Sequence, residues 1–100
     1  MTNGKQQIQV EFHNRSNDKL FEVYQAFQYA TSNLSRRTEE LNFQQLKKRY
    51  AATLEQELRA IAKEILDRYG DEKQIKEVSL LFHQFIRDYL HRFIQKINDL

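Results

Sequence analysis

Ile75-Lys76-Glu77-Val78-Ser79-Leu80-Leu81-Phe82-His83-Gln84-Phe85-Ile86-Arg87-Asp88-Tyr89-Leu90-His91-Arg92-Phe93-Ile94-Gln95-Lys96-Ile97 is the stretch on which the fold turns. Wound as a helix at 100° per residue, its apolar side chains other than Leu80 occupy an arc of roughly 220°. A helix on the outside of a small bundle needs a stripe only somewhat wider than about 100°. The segment must therefore be covered on two sides, by the rest of its own chain or by a second chain.

One cover lies immediately upstream. Phe43, Leu46, Tyr50, Leu54, Leu58, Ile61, Ile65 and Tyr69 recur at steps of three and four, which predicts an amphipathic helix over about 42–69. Asn42 with Gln45 resembles a capping box in which Asn replaces the usual Ser or Thr. Ala51, Ala52, Ala60 and Ala62 add helix propensity and permit close approach. Gly70 reads as the stop, and Asp71 and Glu72 put carboxylates at the positive end of the next helix, about 73–98. So short a link makes the two an antiparallel αα-hairpin.

The N-terminal part reads differently. Ile8, Val10 and Phe12 alternate with polar residues, and this period of two predicts a strand-like arm over 8–13. With no partner strand in the chain, three fates are open to it: pairing with its symmetry mate in a dimer, lying over the helices, or remaining mobile. Asn14-Arg15-Ser16-Asn17-Asp18 reads as a break with cap residues. A shorter helix follows at about 18–34, with Leu20, Val23, Tyr24, Phe27, Ala30, Thr31 and Leu34 as its stripe and Tyr29 on the exposed side. The expected organisation is an extended arm, 1–16, and a single helical domain, 17–100.

Composition supports an all-α class and little chemistry. The 100 residues include no Pro and two Gly, so long unbroken helices are permitted. The absence of Cys rules out disulfide and thiol chemistry. Sixteen basic residues stand against fourteen acidic ones, a balance that demands no polyanionic partner. The longest apolar run is Leu80-Leu81-Phe82, far short of the roughly 20 residues that span a bilayer. No membrane association is expected, and without a secretory h-region the default compartment is the cytoplasm.

Few groupings of polar side chains point to chemistry. His83, Arg87 and His91 share one helical row, but neither a Glu-x-x-His pair nor a zincin motif accompanies them. The acidic residues Glu55, Glu57, Glu64 and Asp67 lie mostly off the apolar stripe of their helix. Twelve aromatics sit mainly at core spacing, so no bound cofactor is expected. One charge cluster stands out. Residues 35–49 hold Arg36, Arg37, Lys47, Lys48 and Arg49 against two acids, a net +3.

The first helix, at about 25 Å, is shorter than the hairpin, at about 40 Å. Part of the last helix would then stay uncovered, and a second copy is the simplest cover. The sequence thus predicts a three-helix bundle completed by dimerisation, with Leu81, Phe85, Ile86, Leu90, Ile94 and Ile97 as candidate self-association residues. The functional expectation is a non-enzymatic protein-interaction or regulatory module, with Tyr29, Arg36, Arg37, Lys47, Lys48 and Arg49 as candidate partner contacts. A nucleic-acid binder using the basic cluster is the alternative, and an enzyme or apolar-ligand binder is the third reading.

Overall fold

The computed structural model describes residues 4–35, 38–69 and 72–99, with side chains from residue 6 onward and, in the last helix, from residue 74. Arg36, Arg37, Gly70 and Asp71 lie outside the described residues. Three helices make up the fold: α1 (Gly4–Thr31), α2 (Glu40–Tyr69) and α3 (Glu72–Asn98). They pack side by side into a rod of 54 × 21 × 17 Å. The radius of gyration is 16.0 Å, against about 13 Å for a globule of this length. Helices of about 40 Å make the molecule elongated.

α2 runs antiparallel to both neighbours. Glu11, Arg15 and Lys19 on α1 meet Arg68, Glu64 and Glu57 on α2 in reverse order. Tyr69 meets Gln74 at one end of the hairpin, and Lys47 meets Asn98 at the other.

The strand-like arm is corrected. Residues 8–13 are helical, and α1 passes residue 16 without a break. A lone strand would leave its backbone groups without partners, whereas a helix satisfies them internally. Ile8 and Phe12 are four apart and join Ser16, Leu20, Val23 and Phe27 in one inward stripe. Val10, which creates the apparent alternation, points away from the core at 58% exposure. Asn14, Asn17 and Asp18 are likewise exposed, where their poor helix propensity costs only a few tenths of a kcal/mol each. α1 is therefore 28 residues long, about 42 Å, and matches the hairpin in length.

Two boundaries also move. α2 begins at Glu40, so Asn42 is inside the helix and does not cap it. The Phe43 N–H donates to the Glu39 carbonyl (3.0 Å), and the Ser35 N–H donates to the Glu39 carboxylate (3.2 Å). α1 ends three residues early, at Thr31. There the Thr31 hydroxyl donates to the Phe27 carbonyl (2.8 Å) and the Ser32 hydroxyl to the Tyr29 carbonyl (2.9 Å).

The core positions repeat every eleven residues in all three helices. Val78 and Tyr89, Phe82 and Phe93, and Ile86 and Ile97 form such pairs on α3; Phe43, Leu54 and Ile65 form a series on α2; Phe12 and Val23 match on α1. Eleven residues over three turns is about 3.67 per turn, close to an ideal helix, so the stripe stays on one side without the left-handed coiling of a heptad seam. Aromatic groups close both ends. Phe12 stacks on Phe82 at one end (4.4 Å between centroids, 12° between planes). At the other, Phe27 meets Phe43 edge-on (5.4 Å) and Tyr50 at 5.7 Å. Burying each such ring contributes about 1.5–3 kcal/mol.

Ser16 interrupts the inward stripe of α1. It is fully buried, and its hydroxyl has no hydrogen-bond partner. An unsatisfied buried hydroxyl costs about 1–3 kcal/mol. Ser16→Ala should raise stability by about 1 kcal/mol, read as a higher urea midpoint with an unchanged slope. Asn14→Pro separates the helix from a loose arm. At an exposed interior helix position it should cost about 3 kcal/mol and reduce far-ultraviolet helicity, whereas in an extended break it would cost almost nothing.

Candidate functional site

With α1 as long as the hairpin, one edge of α3 is closed. Phe85 lies against His13 (4.4 Å between ring centroids) and Phe12 (6.0 Å), so this candidate self-association residue contacts α1. Leu81, on the same edge, is half-buried, and Leu80 points outward at 65% exposure. Ile86 and Ile97 are core residues, at 4% and 0% exposure. Leu90 and Ile94 remain half-buried on the other edge. The six residues named from the sequence are thus divided between the interior and two opposite edges.

The Leu90–Ile94 edge borders an open seam between α2 and α3, on the side away from α1. Two grooves lie along it. One is lined by Ala62 and Leu66 from α2 and by Ile75, Phe82 and Ile86 from α3, with Arg59, Lys63, Asp67, Ser79 and His83 around them. The other is lined by Ala51, Ala52, Leu90 and Ile94, with Gln44, Lys47, Lys48 and Glu55 around them. Small side chains on α2 make the seam concave: no side chain longer than a methyl group stands at 51, 52 or 62 to fill it. Arg59 and Glu55 pair with one another midway along it (2.9 Å).

The partner-contact candidates do not converge on this seam. Tyr29 is 86% exposed on the outer side of α1, and Phe21, two turns earlier, is 59% exposed. Phe43 is buried against Phe27. Lys47 donates to the Asn98 side-chain oxygen (2.9 Å) and, with Lys48, lines the second groove. Arg49 is exposed a further 100° round the helix. Arg36 and Arg37 lie outside the described residues, so no five-residue basic surface is on view.

The groups with shifted acidity sit elsewhere. Nδ1 of His13 and the Tyr89 hydroxyl are 2.7 Å apart, joining α1 to α3 by a hydrogen bond whose donor depends on the imidazole tautomer. Burial pushes the His13 pKa below its usual 6.5, and the nearby Arg92 charge adds to the effect. Burial raises the Tyr89 hydroxyl, with Arg92 opposing. Arg92 itself lies over the Tyr89 ring, 5.3 Å from its centroid. Both shifts favour the neutral forms, which suits a structural contact between packed helices. On the α1/α2 side, the hydrogen bond from Arg15 holds the Glu64 carboxyl below the usual carboxylate range, and the Arg15 charge adds to it. His83, Arg87 and His91 are exposed, and among the described residues no three His, Asp or Glu side chains gather as a metal site requires.

The candidate self-association residues read from the sequence all lie on α3, whereas the open seam has α2 as its other wall. The signal was present in Ala51, Ala52 and Ala62, whose capacity for close approach was noted without a partner to assign. The His13–Tyr89 contact had no signal once residues 8–13 were read as a strand.

No family model matches the chain, no curated protein matches it, and no solved structure matches it. Among the described residues, no helix is long and apolar enough to cross a membrane.

The His13 shift carries a pH dependence. Because the folded-state pKa is depressed, the unfolded chain takes up the proton more readily. His13 therefore contributes no penalty well above pH 6.5, and stability falls as pH drops through 6.5 toward the lowered folded value. The urea midpoint should decrease on acidification through this window, and His13→Asn should flatten that limb.

Proposed function

We propose that this protein is a non-enzymatic helical interaction module that works as a homodimer, with the α2/α3 face as its contact surface. The observation that carries the reading is the concave apolar seam between α2 and α3, bordered by Leu90 and Ile94 and left open by α1. Its size supports the same reading. Two helices of about 40 Å, each about 10 Å across, present a face near 800 Å², the amount each partner contributes to a stable interface.

The groups with shifted pKa values favour the interaction reading over an enzyme. His13 and Tyr89 are packed between α1 and α3, away from the open seam, and each is biased to its neutral form. Catalysis would ask for such groups in an accessible cleft.

The test is the solution mass of the full chain across a wide concentration range, by sedimentation equilibrium. The wild type should approach the mass of two chains. Leu90→Glu combined with Ile94→Glu should leave single chains while retaining most of the helical signal, since both residues are only half-buried in the protomer. A wild type that stays at the mass of one chain up to millimolar concentration would end the proposal.

A further inference from the structure

The α2 side of the seam carries an order of residues that constrains what can cover it. Along the row facing the seam lie Lys48, Ala52, Glu55, Arg59 and Ala62, with Lys47 and Asp67 beside its two ends. Glu55 and Arg59 are of opposite charge, one turn apart, and close to the middle of the row. Any covering helix that crosses here must answer a negative charge followed by a positive one. A helix with the same two residues, running the other way, does so.

We infer that the occupant of the face is a second copy of this chain, antiparallel about a two-fold axis level with residue 57 of α2, so that Glu55 meets the second copy's Arg59 and Ala52 its Ala62. This inference rests on the reading of the α2/α3 face as the contact surface. A two-fold axis makes the contact self-complementary: each pairing occurs twice, once from each copy. On α2 itself, charge disfavours the neighbouring registers. An axis level with Glu55 would set Glu55 against its own copy, and one level with Arg59 would set two guanidinium groups together. The intermediate register avoids both. It also brings the alanines together where two backbones can approach most closely.

The level is consistent with α3. Residue 57 lies near the midpoint between the Lys47–Asn98 and Tyr69–Gln74 links. The midpoint on α3 falls at Ile86, which lines the first groove. The axis therefore crosses the hairpin near the middle of the seam on both helices, and the two copies overlap along nearly its whole length. The flanking α1 helices then lie on the outside, and four helices from two chains share the interior.

The chain has no cysteine, so cross-linking reports the register directly. Residues 52 and 62 are ten apart on one helix, about 15 Å, too far for a disulfide, whose Cα atoms lie within about 7 Å. A bond between them must join two chains. Ala52→Cys with Ala62→Cys should give a covalent dimer under mild oxidation, with a yield unchanged by tenfold dilution above the association range. Neither single variant should cross-link, because like positions are then also about 15 Å apart.

A charge exchange supplies a measurement free of cysteine. Glu55→Arg alone should abolish association, and adding Arg59→Glu should restore it. If the protein has the mass of two chains but the double cysteine variant stays uncross-linked, or a single variant cross-links, the register is overturned and the interaction face survives. If the wild type has the mass of one chain throughout, both fall together.

Discussion

The stacking of Phe12 on Phe82 ties the two ends of this chain together and sets what the remaining surfaces can do. An apolar arc of roughly 220° on α3 cannot be covered by α2 alone, so a second cover is obligatory. α1 supplies it by extending to its N-terminal turns, where Phe12 sits flat on Phe82 and reaches Phe85 and Tyr89. Were α1 to begin near residue 18, this end of the hairpin would be bare on both flanks. Because it begins at Gly4, one flank of α3 is closed along the rod, and the seam between α2 and α3 stays open on the other.

That redistribution changes the physical case for association. From the sequence, a short first helix left α3 partly uncovered, and a second chain was invoked to complete the core. In the structure the protomer already has an apolar interior from Phe12 at one end to Phe43 and Phe93 at the other. The residual apolar surface is shallower and lies between two helices, where α2 offers alanines and α3 offers half-buried Leu90 and Ile94. Association would deepen an existing core. A rod 17 to 21 Å thick has room for little more than one layer of buried side chains, so adding a second hairpin is the direct way to enlarge the interior.

Much of this architecture was legible in the residues. The steps of three and four in α2 and the breadth of the α3 arc define two long helices and their antiparallel pairing without ambiguity. α1 was legible only in its second half. Val10 disguised Ile8 and Phe12 as a strand, and Ser16 replaced the apolar residue that would have continued the stripe. Both are local substitutions at single positions, and the packing of Phe12 outweighs them. The seam was half-legible for a related reason. Periodicity identifies which side of a helix is apolar, but an alanine row has too little apolar weight to register, and it matters only once the neighbouring helix is placed beside it. The closure of the Phe85 edge could not be read at all while α1 was thought to be short.

The charges bear on which side of α2 receives α1. On α1, Glu11, Arg15, Asp18, Lys19 and Glu22 all fall on the side toward α2, and three of them meet Arg68, Glu64 and Glu57 in antiparallel order. Exposed pairs of this kind contribute little stability each, roughly 0–1 kcal/mol. The change of sign between Glu11 and Arg15 is more consequential, since sliding α1 along α2 by one turn would bring Glu11 to Glu64 or Arg15 to Arg68. The ladder thus holds α1 in one register on one side of α2. The opposite side of α2 sets Ala51, Ala52 and Ala62 among Lys47, Lys48, Glu55, Arg59, Lys63 and Asp67. α2 therefore presents two charged sides: one packed against α1, and one on which alanines leave the seam with α3 open. In the proposed antiparallel dimer, a second copy meets that second side with Glu55 and Arg59 in reverse order.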